Sequence, residues 1–309
     1  MASTVVAAFY KFVALPNHAQ LQAPIESYCR SHGVEGNVLL ADEGINATVA
    51  GPRQSIDSFL GFLRQQPEFY DLEHKESLCE HPPFHRLKVR LKNEIVTIGD
   101  KSVSPTAVVG TYVDPQDWNA LLADPDVILI DTRNSYETRL GTFAGAVDPH
   151  INNFTDFPNW VKQNLDPTQH RKVAMFCTGG IRCEKASSLL LRDGFAQVFH
   201  LKGGILKYLE DVPPEQSEWN GECFVFDQRV SVDQSLQPGS YKLCYGCQEP
   251  VSAQDVQSNE FEQGVCCPRC IAGLAEGVIA RRRERARQVE LAQTRGQRHI
   301  GDGALPKRP

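Results

Sequence analysis

The sequence contains no apolar run of about 18 residues, the length that a helix needs to cross a bilayer. The apolar residues near the N-terminus are not preceded by a positively charged segment, so we expect no secretory signal peptide. These two absences predict a cytoplasmic protein with no membrane partner.

Motifs of the common redox cofactors are missing as well. The chain has no glycine fingerprint for the phosphates of a flavin or nicotinamide, no assignable 2-His-1-carboxylate spacing and no haem motif. The sequence therefore identifies no organic cofactor. It does contain ten cysteines, and in a chain of 309 residues without an export signal these favour metal binding or catalysis over disulfides.

Length and charge predict two or three domains with a basic tail. Hydrophobic residues make up 41% of the chain and charged residues 23%, as in ordinary globular proteins.

The net charge is −6, yet residues 281–309 hold nine Arg or Lys against three Asp or Glu. The run Arg-Arg-Arg-Glu-Arg-Ala-Arg at 281–287 is either a contact for a polyanion or a solvated helix end. Residues 290–309 are poor in apolar residues, which predicts disorder.

The N-terminal third alternates between strand and helix patterns. Strands are predicted at 5–13, 36–40, 45–49 and within 85–98, and helices at 21–31 and 55–64. The order strand, helix, strand, strand, helix, strand predicts a ferredoxin-like domain over residues 1–105.

The last of these strands carries an unusual run of charge. Four basic residues alternate with three apolar ones, so the charges share one face of the strand and the apolar groups pack on the other. Basic residues often only solubilise an exposed face, but a stripe on an open sheet also suits the phosphates of a nucleic acid. We predict nucleic-acid binding by this basic stripe, which consists of Arg86, Lys88, Arg90 and Lys92.

Cys177 and the loop that follows it are the most informative part of the chain. The apolar run 173–176 predicts a buried strand, and residues 184–191 predict a helix. Backbone N–H groups of a glycine-containing loop can point at one sulfur, and a helix N-terminus adds partial positive charge. These features predict a thiolate at neutral pH, rather than the small buried hydrophobe that most lone cysteines are. The loop comprises Thr178, Gly179, Gly180, Ile181, Arg182 and Cys183.

Two stretches resemble the two halves of a rhodanese domain. Residues 177–204 are similar to its active-site half. The run Asp-Thr-Arg-Asn-Ser-Tyr-Glu at 131–137, followed by Gly-Thr-Phe-Ala-Gly-Ala at 141–146, is similar to its other half. The resemblance makes Asp131 and Arg133 candidates for supporting residues.

A parallel-sheet rhodanese domain is accordingly predicted over residues 123–217. Its central strands are predicted at 127–130, 173–176 and 198–201. The chain departs from the usual pattern at Thr142 and Ala144, which replace a His and a Pro. Cys183 stands where a small hydroxyl residue is common.

The segment Leu-Ala-Asp-Glu-Gly-Ile-Asn-Ala-Thr-Val-Ala-Gly-Pro at 40–52 resembles the N-terminal domain of TrhO, the bacterial tRNA uridine hydroxylase family. With the rhodanese-like segments, this makes most of the chain similar to that family. The resemblance implies an oxidoreductase that uses molecular oxygen to hydroxylate carbon 5 of the wobble uridine in tRNA. It also implies that Cys177 is the catalytic residue.

The residues alone leave other reactions open. Only four residues separate Cys177 from Arg182, a loop too short for the cysteine-phosphatase pattern. The loop does suit a sulfurtransferase that carries a persulfide on Cys177 and delivers it to a protein partner in a sulfur relay. A redox-sensing module that uses Cys177 and Cys183 is a third interpretation. The basic stripe and the basic tail are used only in the RNA-modifying one.

Residues 241–272 form a cysteine-rich segment. Two C-x-x-C pairs, Cys244 with Cys247 and Cys267 with Cys270, are separated by nineteen residues. Two such pairs can complete a tetrahedral thiolate site, so we predict one structural zinc ion. Free thiols or a redox pair are the alternatives, and the neighbouring Cys266 could replace Cys267.

Overall fold

A five-stranded sheet covered by two helices forms the N-terminal part of the chain. The computed structural model describes residues 4–80, 83–84 and 86–295. The elements of this part are β1 (Thr4–Phe12), α1 (His18–Ser31), β2 (Glu35–Ala41), β3 (Gly44–Gly51), α2 (Arg53–Arg64), a 3₁₀ turn (Pro67–Phe69), β4 (Lys75–Cys79) and β5 (Leu87–Leu91).

The sheet order β4-β1-β3-β2-β5 confirms the predicted ferredoxin-like fold and corrects one strand. The prediction took the strand within 85–98 as the fourth strand of the ferredoxin pattern. That position belongs to β4, which pairs antiparallel with β1, whereas β5 is an additional edge strand that runs parallel to β2. The segment Lys-Glu-Ser-Leu-Cys of β4 has no alternation of apolar and polar residues, so its sequence gave no strand signal.

Both helices pack on the same face of this sheet. Alternate residues of β1, namely Val5, Ala7 and Phe9, join the buried cluster beneath α1 and α2, as does Val89 of β5. Since side chains alternate along a strand, residues such as Ala8 and Tyr10 point to the opposite face, away from α1 and α2.

A four-stranded parallel sheet forms the centre of the chain. Its order is β6-β10-β9-β7, and each neighbouring pair is parallel. The elements of this part are β6 (Thr111–Val113), α3 (Pro115–Leu122), β7 (Val127–Asp131), α4 (Ser135–Thr138), β8 (Gly141–Phe143), a 3₁₀ turn (Phe154–Asp156), α5 (Phe157–Asn164), β9 (Lys172–Phe176), α6 (Ile181–Arg192), β10 (Gln197–Leu201), α7 (Gly204–Asp211), a 3₁₀ turn (Pro214–Gln216), β11 (Trp219–Gly221), β12 (Cys223–Phe224) and β13 (Ser231–Val232).

The three central strands predicted from sequence are β7, β9 and β10. The edge strand β6 was not predicted, because its three residues carry no apolar run and Pro115 follows them closely. The parallel sheet therefore begins before residue 123, the predicted start of this domain. The carboxyl ends of β7 and β9 lie side by side, with Asp131 paired to Phe176, and Cys177 follows at that edge.

Two compact units divide the chain. The first contains Met1–Phe224 and Val232–Gln237, and thus both sheets; the second contains Val225–Ser231 and Pro238–Pro309. The second unit is built from β14 (Lys242–Leu243), β15 (Pro250–Val251), α8 (Ala253–Gln257), α9 (Pro268–Ile271) and α10 (Glu276–Thr294).

The long helix α10 carries the basic run 281–287 and continues to Thr294. The first residues of the segment predicted to be disordered, 290–294, are thus helical. Good helix formers such as Glu290, Leu291 and Ala292 explain this extension. Residues 296–309 of that segment lie outside the described part of the chain. No helix among the described residues is long and apolar enough to span a membrane.

Candidate active site

Cys177 lies at the end of β9, at the start of a tight loop that leads into α6. The backbone N–H of Gly180 donates a hydrogen bond to Cys177 Sγ over 3.1 Å. Gly180 has a φ of 100°, a conformation that side chains disfavour, and it immediately precedes the first residue of the helix. The loop thus turns its backbone N–H groups towards the sulfur, as the sequence predicts.

The surroundings of Cys177 favour the thiolate. The side chain is fully buried, and burial alone would raise its pKa. A hydrogen bond from the Cys183 thiol, the charge of Arg182 and the backbone N–H groups of both residues outweigh burial and lower the pKa of Cys177 well below the usual value. Burial and the neighbouring sulfur raise the pKa of Cys183, so the proton stays there and the negative charge rests on Cys177.

A buried ion pair fixes Arg182. Its two terminal nitrogens bind the two carboxylate oxygens of Glu137 at 2.6 and 2.7 Å. Thr178 also donates to this carboxylate, and the backbone N–H of Asn134 donates to it at the start of α4. Burial would raise the pKa of Glu137, but Arg182 lowers it below the ordinary value, so the pair remains ionised. Glu137 was not among the predicted site residues, although it closes the Asp-x-Arg-x-x-x-Glu run.

Asp131 and Arg133 form a second buried ion pair with a different task. Arg133 binds both oxygens of Asp131 at 2.8 and 2.6 Å and donates to the carbonyl oxygen of Gly141 at 2.6 Å. Thr142, one of the departures from the rhodanese pattern, also donates to Asp131. Among the described residues, neither charged side chain of the pair hydrogen-bonds to the Cys177 loop. The pair therefore holds the chain between β7 and β8.

The N-terminal sheet contacts the Cys177 loop directly. Lys75 Nζ of β4 donates to the carbonyl oxygen of Gly179 at 2.7 Å, and Tyr10 Oη of β1 donates to Glu184 Oε1 at 2.8 Å. A methyl group at Gly180 would lie 2.9 Å from Tyr10 Oη, so this position has no room for a side chain. None of these contacts could be read from the sequence, because they join residues more than 100 positions apart.

These contacts place further titratable groups beside Cys177. Burial lowers the pKa of Lys75 to about 8, and the thiolate opposes that change. Burial raises the pKa of Glu184, against the hydrogen bonds from Tyr10 and Tyr112. The cation of Lys75 and the acid Glu184 thus share the surroundings of the thiolate.

A third contact with the cysteine-loop helix is made by the Asp-Glu-Gly turn between β2 and β3. Lys185 of α6 is fully buried and forms ion pairs with Glu43 of that turn at 2.7 Å and with Glu94 at 2.5 Å. The second oxygen of Glu43 accepts the backbone N–H of Ile95. The segment 40–52, which carries the family resemblance, therefore anchors the helix that begins at the cysteine loop.

The basic stripe lies on the edge strand β5. Arg86, Arg90 and Lys92 are exposed and Lys88 is half-buried, and none of the four forms an ion pair with another residue that the structure describes. Burial and the charges of Arg86 and Arg90 lower the pKa of Lys88, as expected for like charges on one face. On the other face Val89 is buried in the core.

The four predicted cysteine ligands converge in the second unit. The sulfur atoms of Cys244, Cys247, Cys267 and Cys270 all lie within 4.8 Å of one another. Cys266 is not part of this cluster, since its thiol is directed at the carbonyl oxygen of Glu260. The geometry therefore selects Cys267 over Cys266.

Comparison with known proteins agrees with this architecture. Residues 4–95 match the model of the UPF0176 acylphosphatase like domain, and residues 114–211 match that of the Rhodanese-like domain. The parallel sheet and its cysteine loop thus belong to a protein of the rhodanese-containing class. A solved rhodanese-like domain from Anabaena sp. is 20% identical, with a TM-score of 0.30, over 36% of this chain and 78% of that one.

Curated relatives identify the family. The protein named tRNA uridine(34) hydroxylase in Teredinibacter turnerae is 54% identical over 304 residues, which are 98% of this chain and 95% of that protein. The protein of the same name in Rhizobium etli is 54% identical over 297 residues, 96% of each chain. The chain belongs to the tRNA uridine(34) hydroxylase family, and the resemblance noted from its motifs is confirmed.

Proposed function

We propose that this protein is an oxidoreductase that hydroxylates carbon 5 of the wobble uridine in tRNA. The observation that supports the proposal most strongly is the 54% identity, over nearly the full length of both chains, to proteins named tRNA uridine(34) hydroxylase. We infer a cytoplasmic location, because tRNA is found in the cytoplasm. Molecular oxygen is the co-substrate that the family resemblance implies.

We assign the central catalytic role to Cys177. Its sulfur is the group whose ionisation the loop favours, through the Gly180 N–H, the charge of Arg182 and the hydrogen bond from Cys183. A thiolate is a far stronger nucleophile than a thiol, and pKa values displaced in this way are common at catalytic cysteines. The ion pair with Glu137 keeps Arg182 in place for this task.

The same loop would also hold a persulfide, since the N–H groups around Cys177 suit any anionic sulfur. A sulfurtransferase with a protein acceptor is therefore the second candidate. A sulfurtransferase would need neither the contacts of the N-terminal sheet with the cysteine loop nor the basic stripe. This candidate also agrees less well with the names of the relatives.

Cells that lack this gene should lose the wobble nucleosides derived from 5-hydroxyuridine. We expect the wild-type gene to restore them and Cys177→Ser to restore none, because serine cannot supply the stabilised anion. Cys183→Ser should retain part of the activity, because it removes one of several groups that favour the thiolate. The measurement is mass spectrometry of nucleosides from total tRNA, with Cys29→Ser as a matched control at a buried cysteine in the other domain.

Two outcomes would contradict the assignment of hydroxylation to Cys177 alone. Unchanged nucleosides in the deletion strain, with thiosulfate sulfurtransfer by the purified protein, would favour the second candidate. Equal and complete loss in the Cys177 and Cys183 variants, with both proteins folded, would indicate a relay between the two sulfurs.

We further propose that the basic stripe binds the tRNA backbone. The chain carries a net charge of −6, so a polyanion needs a local concentration of positive charge. The stripe offers four basic side chains with no ion-pair partner among the described residues. By contrast, Arg283 in the basic run of α10 is paired with Glu262.

Replacing Arg86 and Arg90 together by alanine should weaken tRNA binding and flatten its dependence on salt. Loss of two phosphate contacts should reduce the slope of log K against log salt by about 2. The measurement is a binding titration at several salt concentrations. The control is the double variant of Lys101 and Lys162, two exposed lysines outside the stripe, which removes the same charge. Equal salt slopes in the wild type and the stripe variant would contradict the proposal.

We also propose a structural zinc ion in the cysteine cluster. The sulfur atoms of Cys247 and Cys267 are 3.8 Å apart, and those of Cys267 and Cys270 are 3.9 Å apart. A tetrahedral site with zinc–sulfur bonds of about 2.3 Å requires sulfur separations of about 3.8 Å, so the residues fit the ion. Zinc bound there would order a segment whose strands are only two residues long.

The purified protein should contain about one equivalent of zinc, measured by elemental analysis. Cys244→Ser should lower the content and destabilise the second unit, because three thiolates leave the tetrahedral site open. Cys266→Ser is the matched control and should keep the ion. A metal-free protein whose four cysteines are freely alkylated in the native state would rule out the site.

A further inference from the structure

One row of side chains crosses the N-terminal sheet from edge to edge, on the face opposite α1 and α2. Its members occupy paired positions on all five strands, and paired residues point to the same face. In sheet order they are Lys75, Ala8, Thr48, Asn37 and Lys88. All five are half-buried, so each keeps part of its surface accessible.

Other parts of the chain cover the sheet on both sides of this row. On one side, Val6, Ala50 and Cys79 form a buried cluster with Phe84. On the other side, Asn46 donates to the carbonyl oxygen of Ile95, which brings the segment after β5 back onto the sheet. The row between these two covered regions has the small residues Ala8 and Thr48 at its centre, and we refer to it as the groove.

The two ends of the groove have different roles. Lys88 at one end belongs to the basic stripe, and Lys75 at the other end donates to Gly179 in the Cys177 loop. Neighbouring strands lie about 4.8 Å apart, so the four intervals of the row span about 19 Å. The groove therefore joins the stripe to the cysteine site without leaving the sheet.

The middle of the groove offers free hydrogen-bonding groups. The side chains of Asn37 and Thr48 have no hydrogen-bond partner in the part of the chain that the structure describes. An asparagine amide can both donate to and accept from the edge of a nucleobase, and a threonine hydroxyl can do the same. Basic side chains can contact phosphates, and the polar groups beyond them can hydrogen-bond to the exposed base edges of a single-stranded nucleic acid.

We propose that this groove binds the single-stranded segment of tRNA that carries the target uridine and leads it to Cys177. The inference rests on the proposed function and adds the path of the substrate. Lys88 contacts phosphate at the entrance, Asn37 and Thr48 contact nucleotides in the middle, and Lys75 lies where the strand reaches the cysteine loop.

The test introduces a negative charge in the middle of the groove and measures tRNA binding. Thr48→Glu should weaken tRNA binding about tenfold or more, because one like charge close to a phosphate near the protein surface has an effect of this size. Thr48→Val keeps the shape and should change binding far less. Ser27→Glu, an exposed position on α1, adds the same charge elsewhere and should bind tRNA as the wild type does. The full-length protein and an unmodified tRNA are used throughout.

Alkylation of Cys177 by iodoacetamide, followed by mass spectrometry of its peptide, reports on the site without RNA. We expect equal rates in the wild type and Thr48→Glu, which would show that the groove acts on RNA rather than on the cysteine. If Thr48→Glu does not fold, Asn37→Asp on β2 provides the same test with a smaller change. Wild-type tRNA affinity in the folded groove variants would overturn the inference. If the wild type itself neither binds nor hydroxylates tRNA, the proposed function fails instead.

Discussion

The candidate site is arranged around one constraint, the stabilisation of negative charge on the fully buried sulfur of Cys177. Burial by itself raises the pKa of a thiol, so the charge on Cys177 persists only because several groups act against burial at once. Three kinds of group lower the pKa of Cys177 against burial: the thiol of Cys183, the guanidinium of Arg182 and the backbone N–H groups of the loop. Each must be held in position, and the surrounding ion pairs and domain contacts do that.

The N-terminal sheet is part of the candidate active site, because its side chains contact the cysteine loop and the helix that follows it. Lys75 and Tyr10 reach the loop and the first turn of α6, while Glu43 holds Lys185 one residue further along the helix. A rhodanese domain alone would have neither the second cation near the thiolate nor the sheet face beside it. The contact thus supports the proposal that the rhodanese-type cysteine of this chain serves a reaction on RNA.

The sequence predicts best those features that depend on neighbouring residues. The buried strand before Cys177, the glycine loop after it and the two cysteine pairs are all local patterns, and the structure places them as predicted. Features that depend on distant residues were missed. Strand β4 has no alternating pattern, so neither it nor the site at Lys75 could be found, and no motif linked Tyr10 to Glu184. Glu137 could have been predicted as a site residue, because it ends the Asp-x-Arg-x-x-x-Glu run that the sequence shows. Its pairing with Arg182 could not, because Arg182 lies 45 residues away.

The most direct test of this account is the pH dependence of Cys177 alkylation in the folded wild-type protein, followed on the peptide that contains this cysteine. An ordinary cysteine reacts with a midpoint near its pKa of about 8.5. The account predicts a midpoint at least about 1.5 units lower, since the loop favours the thiolate despite burial. A midpoint at or above that of an ordinary cysteine would show that burial prevails, and would contradict the thiolate on which the proposed chemistry depends.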